Sequence, residues 1–186
     1  MTEQMVFPKP KSISGVITPG LPVLPAGVER HPVPGGGSRA VPIFAGDEIT
    51  LQDTEGLQPA EMVFYAPDRR SDAGMIGAEG GRDPSGLKAS LLQHASGRKV
   101  IYALDKAGFD LAQADGTLVF AEGSRAGDTA SFTAAQDGLL IVCAAGGAME
   151  AHEQWAPTEI VLFVKRLTPL LRKGDAIMPD PLADPL

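Results

Sequence analysis

The sequence predicts a mainly β domain, sandwich- or barrel-like, with one or two short helices and a Pro-rich N-terminal arm. Three observations predict it. Polar and apolar residues alternate with a period of two in Glu48-Ile49-Thr50-Leu51-Gln52 and in Thr129 to Ala134, which is the pattern of a half-buried strand. Gly 22 and Pro 16 punctuate the 186 residues more densely than a helical bundle tolerates. Two runs of strand length, Leu139 to Ala145 and Thr158 to Val164, are apolar on both faces, as central strands are.

The elements follow in chain order. Residues 1–37 carry seven prolines between Pro8 and Pro34, then Gly35-Gly36-Gly37. Proline removes ladder donors, so this arm is expected to lie extended over a body, with short strand pairings at most. The β-rich domain spans 38–168. Ala40 to Phe44 reads as an edge strand interrupted by Pro42, and Ala45-Gly46-Asp47 as a turn. Strands are expected at 48–52 and 61–65. The polar stretch Asp68 to Pro84, rich in glycine, reads as a mobile loop. Ser85 to His94 starts a helix capped by Ser85, with Leu87, Leu91 and Leu92 on one face. Ser96 to Ala107 makes a second, stopped by Gly108, although Val100-Ile101-Tyr102 leaves a strand over 99–104 in competition. Strands follow at 117–120, 129–134, 139–145 and 158–164. Residues 169–186 read as a C-terminal linker, which suggests that the natural chain continues. Ala126-Gly127-Asp128 before an alternating strand echoes Ala45-Gly46-Asp47, which leaves two readings: two of the Gly-Asp turns common before strands, the favoured one, or one hairpin unit used twice.

Lys+Arg 16 against Asp+Glu 23 gives a net charge of −7. That balance argues against nucleic acid and against a polybasic membrane contact, since both need clustered cations. No run approaches the roughly 18 apolar residues of a membrane span, and the start lacks the basic and apolar regions of a secretory signal, so the cytoplasm is expected. With one cysteine, Cys143, an internal disulfide framework and a multi-Cys metal site are excluded. Cys143 sits inside an apolar run and reads as a buried structural thiol. His31, His94 and His152 show no ligand spacing, so no metal is expected. Gly35 to Arg39 lacks the spacing and following helix of a phosphate cradle. Ser85, Ser124 and Ser131 lack the nucleophile elbow. No catalytic residue is assigned.

Asp53 to Glu61 joins two strands and carries an amide and a carboxylate three residues apart. Loops on rigid sheets carry sites disproportionately. Gln58 would donate to and accept from a small polar nitrogenous ligand, and Glu61 would bind a cation. His152 would join Glu61, and Trp155 with Pro157 would wall the pocket. The competing readings are a polar turn, a solvent-bonded loop histidine and a Trp155 that caps the core.

The segments "AGDEITLQDTEGLQPAEMVFY" (45–65), "SRAGDTASFTAAQDGLLIVCAAGG" (124–147) and "PTEIVLFV" (157–164) resemble the urea carboxylase-associated family over most of 33–166. Within that resemblance Gln58 matches the family glutamine, Glu61 stands where Asp is usual, and Thr158 matches a Pro-Thr step, which adds it to the ligand-binding set. The family's Cys-bearing block has no counterpart here. The arm and the ending are similar to the N-terminal β region of proteins that continue into a glycine cleavage T-type aminomethyltransferase domain. The resemblance implies metabolism of small nitrogen compounds, an aminomethyltransferase domain or protein as partner, and tetrahydrofolate in that associated domain, with no cofactor in this one. The expectation is an accessory or small-ligand-binding β domain. The alternatives are a small hydrolase or deiminase using Glu61, Gln58 and His152 on guanidine- or urea-derived compounds, and a homo-oligomerisation domain.

Overall fold

A computed structural model describes residues 24–93, 95–121, 123–146 and 156–167. Eight strands are present among them: β1 (Val28–Val33), β2 (Ser38–Ile43), β3 (Glu48–Asp53), β4 (Ala60–Tyr65), β5 (Gly116–Val119), β6 (Thr129–Thr133), β7 (Gly138–Ala144) and β8 (Ile160–Lys165). Two helices, α1 (Ser85–Gln93) and α2 (Ala95–Ala107), fall between β4 and β5. The strands form two antiparallel four-stranded sheets, ordered β1-β8-β3-β6 and β2-β7-β4-β5. Every hop between consecutive strands from β1 to β5, and from β5 to β8, crosses between sheets except β4 to β5, which is the connectivity of a jelly-roll sandwich. The mainly β sandwich read from the sequence is the observed architecture. The arm and linker expected at the termini lie largely outside the described residues, but Val28–Val33 of the arm joins the body as β1. Its Pro32 and the Pro42 of β2 both sit on outer strands, where a missing N–H costs no ladder bond.

Residue parity fills the core. Ile49 and Leu51 of β3, Met62 and Phe64 of β4, Leu140 and Val142 of β7, and Ile160, Leu162 and Val164 of β8 meet between the sheets. The opposite faces of β4 and β7, carrying Val63, Tyr65, Ile141 and Cys143, are buried against Leu87, Leu91 and Leu104 of the helices. That is why β7 reads as apolar on both faces: one faces the other sheet and one faces the helical layer. α2 is helical through 99–104, so the competing strand does not form. It closes in a Schellman arrangement: Gly108 N–H donates to Asp105 O, Phe109 N–H donates to Leu104 O, and Phe109 and Leu104 share a cluster. Burial of Leu104 with Phe109 decides the local contest that Val-Ile-Tyr leaves open.

The 68–84 stretch is pinned, not the mobile loop the sequence suggests. A single 3-10 turn, Ala73–Ile76, buries Ile76 in the inter-sheet core, and Asp72 caps it through Gly74 N–H. Asp72 N–H donates to Phe64 O and Arg82 pairs with Gly116.

The Gly-Asp echo is structural at the turns, but it is not a repeated hairpin: β3 and β4, and likewise β6 and β7, lie in different sheets and do not pair. β3 and β6 pair antiparallel about Thr50 and Ser131, whose hydroxyls lie 3.1 Å apart and which are 81 residues apart in sequence. In each turn the aspartate N–H donates to the residue three back, Asp47 to Phe44 O and Asp128 to Arg125 O. Each carboxylate in turn accepts, from Phe44 N–H and from Arg125 N–H. Gly46 (φ 86°) and Gly127 (φ 89°) take the left-handed position of a type II turn. Gly46-Asp47 then opposes Ala134 alone, and Gly127-Asp128 opposes Asp53 alone, so each turn ends in a glycine bulge.

One end of the sandwich is closed by charge. The Arg166 side chain is 2% exposed and lies 2.6 Å from Asp47 Oδ2. It holds Glu29 by two contacts, Nη2 at 2.7 Å and Nε at 3.0 Å, and donates to Pro42 O. His31 Nε2 lies 3.0 Å from Glu29. The Arg166 hydrogen bonds hold Glu29 below its ordinary value of 4.5; burial opposes this and His31 assists.

Gly127→Ala is expected to cost about 1–2 kcal/mol of backbone strain, because a Cβ there meets nothing. Gly46→Ala should cost slightly more, since its Cβ would fall 2.5 Å from the flexible tip of Leu167. Thermal melts of the two variants check the equivalence. Arg166→Met should cost about 3–5 kcal/mol by stranding Asp47. Because Glu29 is depressed on folding, its contribution is complete above 4.5 and is lost as pH falls through the folded value. Glu29→Gln should therefore flatten the acid side of the curve of melting temperature against pH.

Candidate functional site

The loops 34–37, 53–59 and 124–128, with residues 145–146 and 156–158, gather at the sandwich end opposite Arg166. Asp53, at the end of β3, is fully buried. Its carboxylate accepts from the N–H groups of Glu55, Gly56 and Gln58 and from the Ser124 hydroxyl. Burial opposes the ionised form, yet these four donors hold Asp53 below its ordinary value of 3.8. The chain winds around that carboxylate tightly enough that Gly56 (φ 91°) and the 60% exposed Leu57 (φ 62°) are both left-handed. Leu57 bears strain that glycine would not, and its N–H is tied to Ser124.

Gln58 follows at 4% exposure. Nε2 donates to Pro59 O at 2.7 Å and to Ala145 O at 2.8 Å, while Oε1 accepts from Thr158 N–H at 2.7 Å. Both donors and one acceptor site are engaged by the backbone, joining the ends of β4, β7 and β8. A cavity of about 180 Å³ adjoins this latch, walled by Leu57, Pro59, Ala145, Ala156 and Pro157. The Thr158 hydroxyl is buried without a partner among the described residues. Gln58 and Thr158 are thus brought together, as the sequence places them.

Glu61 points elsewhere. It lies on the face of β4 that meets the helices, and its two oxygens accept from Gly86 N–H at 3.2 Å and Leu87 N–H at 2.8 Å. It therefore neutralises the first turn of α1 from a neighbouring strand, the task the sequence gives to Ser85. A cleft of about 310 Å³ beside it is lined by Arg82, Asp83, Ser85 and Thr117. His152 and Trp155 lie outside the described residues. Among the described residues no group of three or more His, Cys, Asp or Glu side chains is placed to hold a metal ion.

Cys143 is fully buried, and desolvation pushes its thiol up to about 11, with Ser90 opposing and Glu61 adding to the shift. At that value the thiolate needed for nucleophilic attack is scarce near neutrality, in line with the structural thiol expected. Asp47, Asp53, Ser124 and Arg166 are among the buried polar groups whose burial pattern reading passed over. A signal existed for Arg166: parity with Ile160, Leu162 and Val164 puts it on the inner face.

No family model matches the chain. It is 37% identical over 182 residues to a protein of Ruegeria pomeroyi named trimethylamine-oxide aldolase. The match takes in 97% of this chain and 23% of that protein, so the chain spans about a quarter of its relative's length. A crystal structure of a DUF1989 family protein from Silicibacter pomeroyi superposes with a TM-score of 0.46 at 15% identity, over 80% of this chain and 82% of that one. Among the described residues no helix is long and apolar enough to cross a membrane.

Gln58→Ala strands Thr158 N–H and the carbonyls of Pro59 and Ala145 together. It should destabilise the chain by about 2–4 kcal/mol in a denaturant titration, at one to three kcal/mol for each buried group left unpaired with partial recovery by water.

Proposed function

We propose that this chain is an accessory β module of an amine-catabolising protein of the trimethylamine-oxide aldolase type, working by partner contact or by presenting a small polar ligand, with no reacting group of its own. One observation carries the reading: among the described residues, the side chains of Asp53, Gln58 and Glu61 are each engaged by backbone groups of the module itself. A general acid or base needs a proton site free to meet a substrate. The 37% identity along nearly the whole chain supplies the context of an amine oxide.

The finer part of the reading comes from the sequence resemblance. The module would stand in the cytoplasm beside an aminomethyltransferase-type domain that uses tetrahydrofolate, and Gln58, Thr158, Trp155, His152 and Glu61 would border its ligand mouth. The 180 Å³ cavity at Gln58 suits a ligand of only a few heavy atoms. A hydrolase or deiminase of guanidine- or urea-derived compounds is the weaker alternative, since it requires the Gln58 amide and the Glu61 carboxylate to turn from their present partners.

The test is turnover. The 186-residue chain, given trimethylamine N-oxide, or methylated amines with tetrahydrofolate, should leave both unchanged by proton NMR. In a second arm, the Ruegeria pomeroyi relative expressed without its matching region should co-purify with this chain. Turnover by the chain alone would overturn the accessory reading, as would failure of the two pieces to associate.

A further inference from the structure

We propose that the free edge of β6 is a self-association edge, where a second copy of this chain pairs β6 against β6, antiparallel about a two-fold axis at Ser131. The sandwich has four outer strands, and three are guarded. β1 carries Arg30 and Pro32, and β2 carries Arg39 and Pro42. β5 is four residues long, and its Gly116 is bonded in both directions to Arg82. Proline, charge, shortness and a covering segment are the devices that stop outer strands from pairing with other chains. β6, Thr129-Ala130-Ser131-Phe132-Thr133, holds no charge and no proline and, among the described residues, pairs only with β3; cover begins just past its end, where Ala135 N–H donates to Met75 O.

The ladder fixes which groups are open. Ala134 N–H donates to Asp47 O, and Asp128 O accepts from Asp53 N–H, so the even-numbered residues face β3. Alternation turns the N–H and C=O groups of Thr129, Ser131 and Thr133 away from it. An antiparallel copy centred on Ser131 sets Thr129 opposite Thr133 of the other copy and Ala130 opposite Phe132. Threonine pairs suit the exposed face, and a small residue opposite a large one suits the inner face. No like charges meet in the pairing, although each chain carries −7.

A second observation falls on the same side. The half-buried apolar residues around the inter-sheet core are Met75, Ala78, Phe120, Ala130 and Phe132. Ala130 and Phe132 belong to β6 itself, and Met75 O accepts from Ala135 N–H just past it. A groove of about 370 Å³ lies there between Ser131 and Thr133 and the Ile76-Gly77 turn, which is room for the side chains of an incoming strand.

The native chain should sediment as a dimer at about 50 µM, and Ser131→Lys, which brings two cations together on the axis, should weaken that dimer by about 100-fold. Ser131→Cys should form a disulfide-linked dimer on mild oxidation, because a hydrogen-bonded pair sets the two Cα atoms about 5.5 Å apart. Cys143 is buried and should not compete. Ser38→Cys, on β2, should stay unlinked. Circular dichroism tests whether the lysine variant folds; if it does not, the cysteine cross-link decides alone. A native chain that stays monomeric, together with a Ser131→Cys variant that does not cross-link, overturns the proposal. So does a dimer that survives Ser131→Lys while the Ser131→Cys variant stays unlinked, because another surface then makes it.

Discussion

Two buried carboxylates, one at each end of β3, organise this sandwich. Asp47 is 1% exposed and Asp53 is fully buried. A buried carboxylate is costly unless donors surround it, and each has collected donors both from its own turn and from segments distant in sequence. Asp47 draws the Phe44 N–H, the Leu167 N–H and the Arg166 guanidinium. That fixes where the chain leaves β8, and through Glu29 it ties down β1. Asp53 draws three N–H groups of its own loop and Ser124 from the loop before β6. The strand between them is therefore held in register at both ends, and its neighbours β8 and β6 inherit that register. Arg166 supplies a buried charge whose desolvation is offset by Glu29 and Asp47 together, so removing either partner would strand the other.

The parts of this fold legible in the sequence are those in which side-chain burial repeats with a short period. The alternation at Ile49 and Leu51, the double-faced run at Leu139 to Ala145, and the Gly-Asp turns each state a local requirement that the structure meets locally. β1 was partly hidden, because the prolines that mark an arm also suit an outer strand. The 68–84 stretch was hidden for another reason. Its glycines and charges read as loose, but one side chain, Ile76, fixes it by filling a gap between sheets that exists only once both sheets are built.

The site was legible as a place rather than as a function. Gln58 and Thr158 do meet, 100 residues apart. Whether an amide serves a ligand or the backbone depends on which carbonyls remain unpaired where three strands end, and no spacing rule encodes that. Glu61 illustrates the same limit. A carboxylate three residues from an amide looks like a pair, but Gln58 lies in the loop before β4 whereas Glu61 is on the helix-facing side of β4 itself, so the two side chains part. One closes the loop end, and the other caps a helix on the outside of the sheet.

The distribution of polar groups separates what the module needs from what it offers. Among the described residues, Asp53, Gln58, Glu61 and Arg166 have their partners within the module, and the Thr158 hydroxyl is the buried side-chain group without one. Ligand recognition at the Gln58 cavity would therefore rest on shape and on whatever the backbone leaves open, whereas the unguarded strand at β6 presents a whole row of backbone groups. Hydrogen-bonding capacity left over at a surface is costly to bury alone and free to satisfy with a matching strand. Among the described residues the open hydrogen-bonding capacity therefore lies along β6 more than at the Gln58 cavity, and the proposed contact with a second copy would draw on it.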